Sequence, residues 1–165
     1  MTLRRSVLFY PALSVERWDE AMGSGADMVV FDLEDGPVPA RRAEARVAVL
    51  PLYAGQRKED QPLRLLRVNN PRTEDGLRDL LAVVDCADAP DGLILPKIEH
   101  AEEVRWVADV LRPRHPDLEL VVLIESPRGI KNAMEIACST AGRDGPQITC
   151  LFLGTADFSA SIGSD

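Results

Sequence analysis

The chain has 165 residues, of which 45% are hydrophobic and 28% are charged, a composition that is ordinary for a single globular domain with a buried core. Its 27 acidic and 19 basic residues give a net charge of -8, which argues against nucleic acid or an anionic membrane as the main partner. Three cysteines without CxxC spacing argue against a disulfide framework, and two histidines exclude a multi-histidine metal site.

Neither a signal peptide nor a membrane span is predicted. The apolar run near the N-terminus is only about five residues long before Pro11, and the apolar region of a signal peptide is longer. No run in the sequence approaches the ~20 apolar residues that cross a bilayer. We therefore expect a cytoplasmic protein without a membrane partner.

A short apolar run followed by an amphipathic segment recurs along the whole chain. The runs are rich in Val, Ile and Leu and lack clean alternation, which is typical of strands that are covered on both faces. They comprise residues 6–10, 28–32, 63–69, 92–96, 118–125 and 148–153. Repeated βα units of this kind predict a parallel sheet.

The segments between the runs carry helix signals. Two of them place hydrophobic residues at the i, i+3, i+4, i+7 spacing of a helix that buries one stripe. The first stripe comprises Leu77, Leu80, Leu81 and Val84, and the second comprises Val104, Val107, Ala108 and Leu111. Ser14 and Ser126 are predicted N-caps, the second followed by Pro127, and Gly23 and Gly25 predict the end of the first helix. Residues 54–62 are polar and predict a surface loop.

Two architectures fit consecutive βα units: an open doubly wound sheet and a TIM barrel. The glycine fingerprint of dinucleotide-binding sheets is missing after the first strand, where the chain reads FYPALS. A closed barrel needs eight units and typically ~250 residues. We therefore predict a single α/β domain over residues 1–165, with the fold of a TIM (β/α) barrel that is C-terminally truncated to about six units.

In parallel α/β folds the functional groups lie at the carboxyl ends of the strands. The strand ends of this chain supply carboxylates, cations and an amide, namely Asp32, Glu34, Asp35, Arg67, Asn69, Lys97, Glu99, Glu125 and Asp157. Glu125 and Asp157 follow adjacent strands, and two oxygen ligands with open positions suit Mg²⁺. Arg67 could clamp a substrate carboxylate with two hydrogen bonds.

Each of these residues also has a purely structural alternative. Glu125 could accept hydrogen bonds from the next helix or pair with Arg128, and Asp157 could cap the segment that follows it. Lys97 could form a salt bridge with the acidic residues after the second strand, and those residues could be solvated loop charges. Arg67 needs an anionic partner if it is buried, and either a structural carboxylate or a substrate would serve.

Six segments of the chain resemble the citrate lyase β-subunit and malyl-CoA lyase family of TIM-barrel carbon–carbon lyases. They are RSVLFYPA, SGADMVVFDLEDGPVPARRAEAR, LRVNNP, DGLILPKIEHAEEV, LIESPRGIKNAMEIA and LFLGTADFSASIG. A single segment of this kind is weak, but six in the right order, each at a strand end, make a strong signal. The resemblance covers nearly the whole chain.

The resemblance implies a Mg²⁺-dependent enzyme that forms or cleaves a carbon–carbon bond between a small α-keto acid and an acyl thioester, usually of coenzyme A. By resemblance, the catalytic residues are Glu125 and Asp157, which ligate Mg²⁺, and Arg67, which holds the carboxylate of the α-keto acid. The residues that would orient metal waters and set the field around the ligands are Asp32, Glu34, Asp35 and Lys97.

The chain also departs from this family. Family members continue through eight strands, and in malyl-CoA-lyase-type members a late aspartate reaches a neighbouring active site as the acid/base. Nothing in this sequence corresponds to that residue. Two alternatives therefore stay open: a catalytically reduced barrel that binds metal and an α-keto acid as an assembly module, and an aldolase that acts on pyruvate and an aldehyde. Open sheet edges predict a homo-oligomer.

Overall fold

A computed structural model describes residues 3–164, and this part of the chain contains six strands. They are β1 (Val7–Pro11), β2 (Met28–Asp32), β3 (Leu63–Arg67), β4 (Gly92–Leu95), β5 (Glu119–Ile124) and β6 (Gln147–Leu153). The predicted strands coincide with these to within about two residues at each end.

All six strands are parallel and form one sheet in the order β1-β2-β3-β4-β5-β6. Sequential order is that of a (β/α) barrel wall, whereas a doubly wound sheet reverses its order at a switch point. The predicted α/β fold of the TIM-barrel type, with six βα units, is therefore confirmed. That residues 1–165 are one domain stays a prediction.

Helices follow the strands in alternation. They are α1 (Trp18–Met22), α2 (Arg42–Val49), α3 (Glu74–Asp85), α4 (Ala101–Leu111), α5 (Pro127–Lys131), α6 (Ala133–Ala137) and α7 (Thr155–Ile162), with short 3-10 turns at Val15–Arg17, Pro39–Arg41 and Leu50–Tyr53. Between residues 3 and 164, no helix is long and apolar enough to cross a membrane.

The sheet separates two hydrophobic clusters, one between the sheet and the helices and one inside the barrel. Phe31, Leu66 and Leu95 belong to the outer cluster, and Val30 and Ile94 belong to the inner one. Because both faces of the four central strands, β2 to β5, are covered, these strands show unbroken apolar runs rather than alternation.

The predicted stripe of α4 is confirmed, because Val104, Val107, Ala108 and Leu111 are all buried. The predicted stripe of α3 is wrong by one position. This helix buries Gly76, Asp79, Leu80 and Val83, while Leu77 is 44% exposed and Leu81 is 59% exposed. The reason is the carboxylate of Asp79, which lies among buried polar partners and turns the helix so that Asp79 faces inward.

The predicted helix ends are confirmed in part. The hydroxyl of Ser126 accepts a hydrogen bond from the N–H of Gly129 and caps α5. Gly23 ends α1 as predicted. Ser14 precedes a 3-10 turn but, within the described residues, makes no side-chain capping bond, so that prediction is wrong. The polar segment 54–62 is a loop, as predicted.

Candidate active site

Arg67, the last residue of β3, is surrounded by carboxylates at the end of β2 and in the loop that follows it. Its Nε donates to Asp32 Oδ1 at 2.7 Å, and its Nη2 donates to Asp32 Oδ2 at 2.7 Å and to Asp35 Oδ2 at 2.8 Å. Its Nη1 lies 3.3 Å from Glu34 Oε2. Strand register causes this meeting, because Asp32 stands opposite Arg67 in the sheet. The guanidinium is therefore held among three carboxylates, as burial of a charge requires.

Burial and neighbouring charges shift the pKa of Arg67, and likewise that of Glu34, in opposite directions, and the net shift is upward for both groups. Burial alone would lower the pKa of Arg67, but the hydrogen bonds and charge of Asp32, with the charges of Glu34 and Asp35, raise it above its ordinary value. Burial raises the pKa of Glu34, and the neighbouring cations Lys97 and Arg67 offset only part of that effect. Arg67 is thus firmly cationic, while Glu34 takes up a proton more readily than a solvated glutamate.

Lys97, which follows β4, joins three strand ends. Its Nζ donates to Glu34 Oε1 at 2.7 Å and lies 3.0 Å from Asp157 Oδ2. Its backbone N–H donates to Glu125 Oε2 at 2.8 Å. Burial acts to lower the pKa of Lys97, but Glu34 and Asp157 raise it above its ordinary value. One lysine therefore contacts carboxylates that follow β2, β5 and β6.

Glu125 directly follows β5 and is only 6% exposed. It lies against the backbone of Gly154, where an added Cβ would stand 2.5 Å from Glu125 Cγ and from its Oε1. Only glycine fits at that position without displacing the carboxylate. Burial raises the pKa of Glu125, and the charge of Asp157 acts in the same direction.

A cleft of about 470 Å³ opens at this end of the barrel. Its charged lining comes from Asp35, Arg67, Glu125 and Asp157, and an apolar wall comes from strands β1, β5 and β6. Phe9 belongs to that wall, and its ring centroid lies 5.5 Å from the guanidinium carbon of Arg67. Asp157, in the first turn of α7, has a side chain that is 43% exposed.

The residues around this cleft carry more negative than positive charge. We call them the cleft cluster: the carboxylates of Asp32, Glu34, Asp35, Glu125 and Asp157, with the cations Arg67 and Lys97. Five carboxylates face two cations, so a divalent cation would offset most of the surplus. The donors are hard oxygens, which suit Mg²⁺ rather than Zn²⁺.

The residues of the cleft cluster fit a Mg²⁺ site that has few protein ligands. Residues 3–164 contain no group of three or more His, Cys, Asp or Glu side chains placed to hold a metal ion. Mg²⁺ commonly takes one or two carboxylates and completes its shell with water and substrate oxygens. Glu125 and Asp157 can supply that pair, and the tight packing of Gly154 behind Glu125 leaves the carboxylate fixed in position.

The structure brings all seven predicted site residues of the cleft cluster to one end of the barrel, while their roles stay predictions. Two other residues at the predicted strand ends, Asn69 and Glu99, bind partners outside the cleft cluster. The side-chain amide of Asn69 donates to Asp79 Oδ2 at 2.8 Å and to the carbonyl oxygen of Leu33 at 3.1 Å. Glu99 accepts from the hydroxyl of Ser126 at 2.8 Å.

The structural alternatives are confirmed in part, because Lys97 pairs with Glu34 and Arg67 pairs with Asp32 as predicted, whereas the predicted pairing of Glu125 with Arg128 is wrong. Arg128 lies 3.8 Å from Glu99 rather than pairing with Glu125. Sequence reasoning also missed Phe9 and Gly154. A glycine directly after the last apolar run could have signalled a close backbone approach, but nothing in the sequence singles out Phe9.

Comparison with known proteins gives one family and several relatives. The family model described as HpcH/HpaI aldolase/citrate lyase matches residues 5–165. The chain is 32% identical over 160 residues to a (3S)-malyl-CoA thioesterase of Cereibacter sphaeroides, covering 97% of this chain and 52% of that protein. It is 31% identical over 167 residues to an L-malyl-CoA/beta-methylmalyl-CoA lyase of the same species, covering 96% of this chain and 50% of that protein.

A solved structure is similar over the whole chain. It is the citrate lyase beta subunit of M. tuberculosis complexed with oxaloacetate and magnesium, with a TM-score of 0.75 and 31% identity, covering 100% of this chain and 66% of that chain. The chain spans about half the length of the curated relatives that it matches.

Proposed function

The chain belongs to the HpcH/HpaI aldolase/citrate lyase family, and we propose that it is a Mg²⁺-dependent carbon–carbon lyase. Its substrate would be a 3-hydroxyacyl thioester of the coenzyme A type, and its products a small α-keto acid and an acyl thioester. The single observation that carries the proposal is the cleft cluster, whose surplus of carboxylates lies beside a firmly cationic Arg67. The predicted homo-oligomer and the cytoplasmic location stay predictions.

Glu125 and Asp157 are the residues that would hold the cation. Both carboxylates line the cleft, and the backbone of Lys97 already orients Glu125 through a 2.8 Å hydrogen bond. When bound, Mg²⁺ would supply a Lewis acid that stabilises negative charge on the keto oxygen of the α-keto acid. The remaining groups of the cleft cluster orient this pair and balance its charge.

Arg67 would hold the carboxylate of the α-keto acid. Its Nε and Nη2 are bound to Asp32 and Asp35, so the guanidinium cannot swing out of position. Its Nη1 carries two N–H groups and lies 3.3 Å from Glu34 Oε2, which leaves donor capacity for a ligand in the cleft. A positioned arginine of this kind lowers the entropic cost of orienting the substrate.

Turnover of a thioester tests the proposal. The purified chain is incubated with malyl-CoA or citramalyl-CoA and Mg²⁺, and the released α-keto acid is trapped with phenylhydrazine. We expect keto acid to appear with Mg²⁺ and not with EDTA, and the Glu125→Gln variant to be inactive. If neither keto acid nor free thiol appears under any condition while the chain still binds the keto acid, the protein is the binding module and not the enzyme.

A second candidate follows from the relative that is named a thioesterase. Hydrolysis of the thioester would release free coenzyme A thiol and leave the hydroxy acid whole. A thiol-reactive dye added to the same reaction separates the two, because the lyase reaction releases keto acid with the thioester intact. Thiol without keto acid would replace the lyase proposal by the thioesterase, and turnover of pyruvate with an aldehyde alone would replace it by the aldolase.

A further inference from the structure

Lys97 has a backbone conformation that residues with side chains rarely adopt. Its φ is 54°, and it is the one non-glycine residue with a positive φ between residues 3 and 164. The left-handed region brings Cβ too close to the backbone, so glycine is the usual residue there. Strained positions of this kind persist only where surrounding contacts fix them, and they concentrate at functional sites.

Contacts on both sides of the residue hold this conformation. The N–H of Lys97 donates to Glu125 Oε2 at 2.8 Å, and its carbonyl oxygen accepts from Arg72 Nη2 at 3.2 Å. Arg72 is itself tied, because its Nη1 lies 3.2 Å from Glu99 Oε2 and 3.4 Å from Glu103 Oε1. The turn after β4 is therefore braced by the loop after β3 and by the end of β5.

A turn that needed only left-handed geometry would be satisfied by glycine at lower cost. Lysine at this position adds an ammonium group, which lies 2.7 Å from Glu34 Oε1 and 3.0 Å from Asp157 Oδ2. Glu34 is buried, so loss of the ammonium would leave a carboxylate that only Arg67 partly compensates. Lys97 thus places a backbone N–H and an ammonium group at fixed positions in the same site.

We propose that Lys97 is a positioning residue that sets the spacing of Glu125 and Asp157, the pair assigned to Mg²⁺ in the proposed function on which this inference rests. Its N–H holds Glu125 and its ammonium holds Asp157 and Glu34. Because both contacts come from one residue with a braced backbone, the two carboxylates are kept at one separation before any ligand enters.

Binding of Mn²⁺, a paramagnetic substitute for Mg²⁺, tests whether the Lys97 ammonium positions the carboxylates. Calorimetry and the electron paramagnetic resonance line shape of bound Mn²⁺ are compared for wild type, Lys97→Met, Lys97→Arg and the control Lys58→Met, which removes the same charge from the exposed 54–62 loop. We expect Lys97→Met to bind Mn²⁺ about tenfold more weakly, with a broadened spectrum, and Lys97→Arg to recover part of the loss. Lys58→Met should match wild type.

Unchanged or tighter binding of Mn²⁺ would contradict the proposal. If Lys97→Met binds Mn²⁺ as tightly as wild type, or more tightly because a repelling charge is gone, Lys97 does not position the ligands. Failure of wild type to bind Mn²⁺ at all would instead overturn the proposed cation site, and this inference would fall with it.

A matched pair of variants tests the left-handed backbone conformation of Lys97. Lys97→Gly and Lys97→Ala both remove the ammonium, but only glycine accepts a φ of 54° without strain. We expect both to bind Mn²⁺ weakly and Lys97→Gly to melt about 2–4 °C higher than Lys97→Ala. Equal melting temperatures would mean that the left-handed turn is not enforced, and the backbone half of the proposal would be wrong.

Discussion

Two ionic clusters in this molecule use the same residue types and differ in balance and access. The cleft cluster faces a cavity and has five carboxylates for two cations. The second, which we call the sealed cluster, comprises Arg42, Arg46, Asp75 and Asp79 between α2 and α3. In it Arg46 Nε donates to Asp79 Oδ1 at 2.6 Å, and the side chain of Asp79 is 0% exposed.

The sealed cluster is balanced in charge without a ligand. Two arginines match two aspartates, and Asp79 Oδ2 also accepts from the N–H of Asn69 at 2.7 Å and from its side-chain amide. The comparison shows that a buried arginine–carboxylate pair is by itself a poor sign of function. Unbalanced charge that opens onto a cleft is the stronger sign, because only an external cation or substrate can complete it.

Removal of a proposed ligand should have the largest effect, and that effect should be on activity. We expect Glu125→Gln to lower thioester cleavage by more than about 100-fold, since loss of a direct ligand exceeds the 10–100-fold cost of losing a residue behind one. Steady-state assays measure this, with Glu135→Gln on the exposed face of α6 as the matched control. Equal losses in the two variants would contradict the assignment.

Disruption of the sealed cluster should act on stability instead. Asp79→Ala leaves the guanidinium of Arg46 buried without its main partner, so we expect a loss of about 3–5 kcal/mol in the free energy of unfolding. Urea titration measures it, and Asp75→Ala, at a position where the side chain is 34% exposed, should lose less. If Asp79→Ala retained wild-type stability but lost cation affinity, the distinction between the two clusters would be wrong.

A smaller and more local effect is expected at Gly154. The Cβ of Gly154→Ala would stand 2.5 Å from Glu125 Oε1, so the carboxylate must move. We expect cation affinity to fall about tenfold, by the same reasoning as for other residues that support a ligand. Gly23→Ala is the control, because a Cβ there would meet its nearest atom at 3.4 Å. Unchanged affinity in Gly154→Ala would show that the position of Glu125 is not critical.

The smallest effect concerns pH in the absence of divalent cations. Burial raises the pKa of Glu125 in the folded protein, so its ionisation opposes folding. Below the unfolded pKa of about 4.3, wild type and Glu125→Gln should be equally stable. As pH rises through the raised pKa of the folded state, wild type should lose stability relative to the variant. Urea titrations across pH with EDTA measure the difference, and a variant that is less stable at neutral pH would contradict this sign.

The sequence predicts what depends on neighbours in the chain. Strand β2 matches its predicted bounds because an apolar run is enclosed by Asp27 and by the carboxylates that end it. The meeting of Asp32 with Arg67 follows from parallel strands whose ends lie at one edge. The charge of the cleft cluster could therefore be foreseen from strand ends alone.

The remainder depends on contacts between distant residues. Asp79 faces inward because it pairs with Arg46, which lies 33 positions away. The spacing of hydrophobic residues on α3 does not indicate that partner. The left-handed backbone of Lys97 is held by Glu125, 28 positions away, and by Arg72, 25 positions away, and no local glycine signals it. Asn69 stands at a predicted strand end but turns to Asp79, since a strand end does not say to which side a side chain points.

The central claim is that the cleft cluster binds a cation and an anionic substrate, whereas the sealed cluster is balanced in charge by its own residues. Calorimetric titration of oxaloacetate with Mg²⁺ and with EDTA, into wild type, Glu125→Gln and Asp79→Asn, tests it most directly. The account predicts binding that requires Mg²⁺, that disappears in Glu125→Gln, and that persists in folded Asp79→Asn. Equal binding of oxaloacetate in EDTA, or by Glu125→Gln, would contradict it.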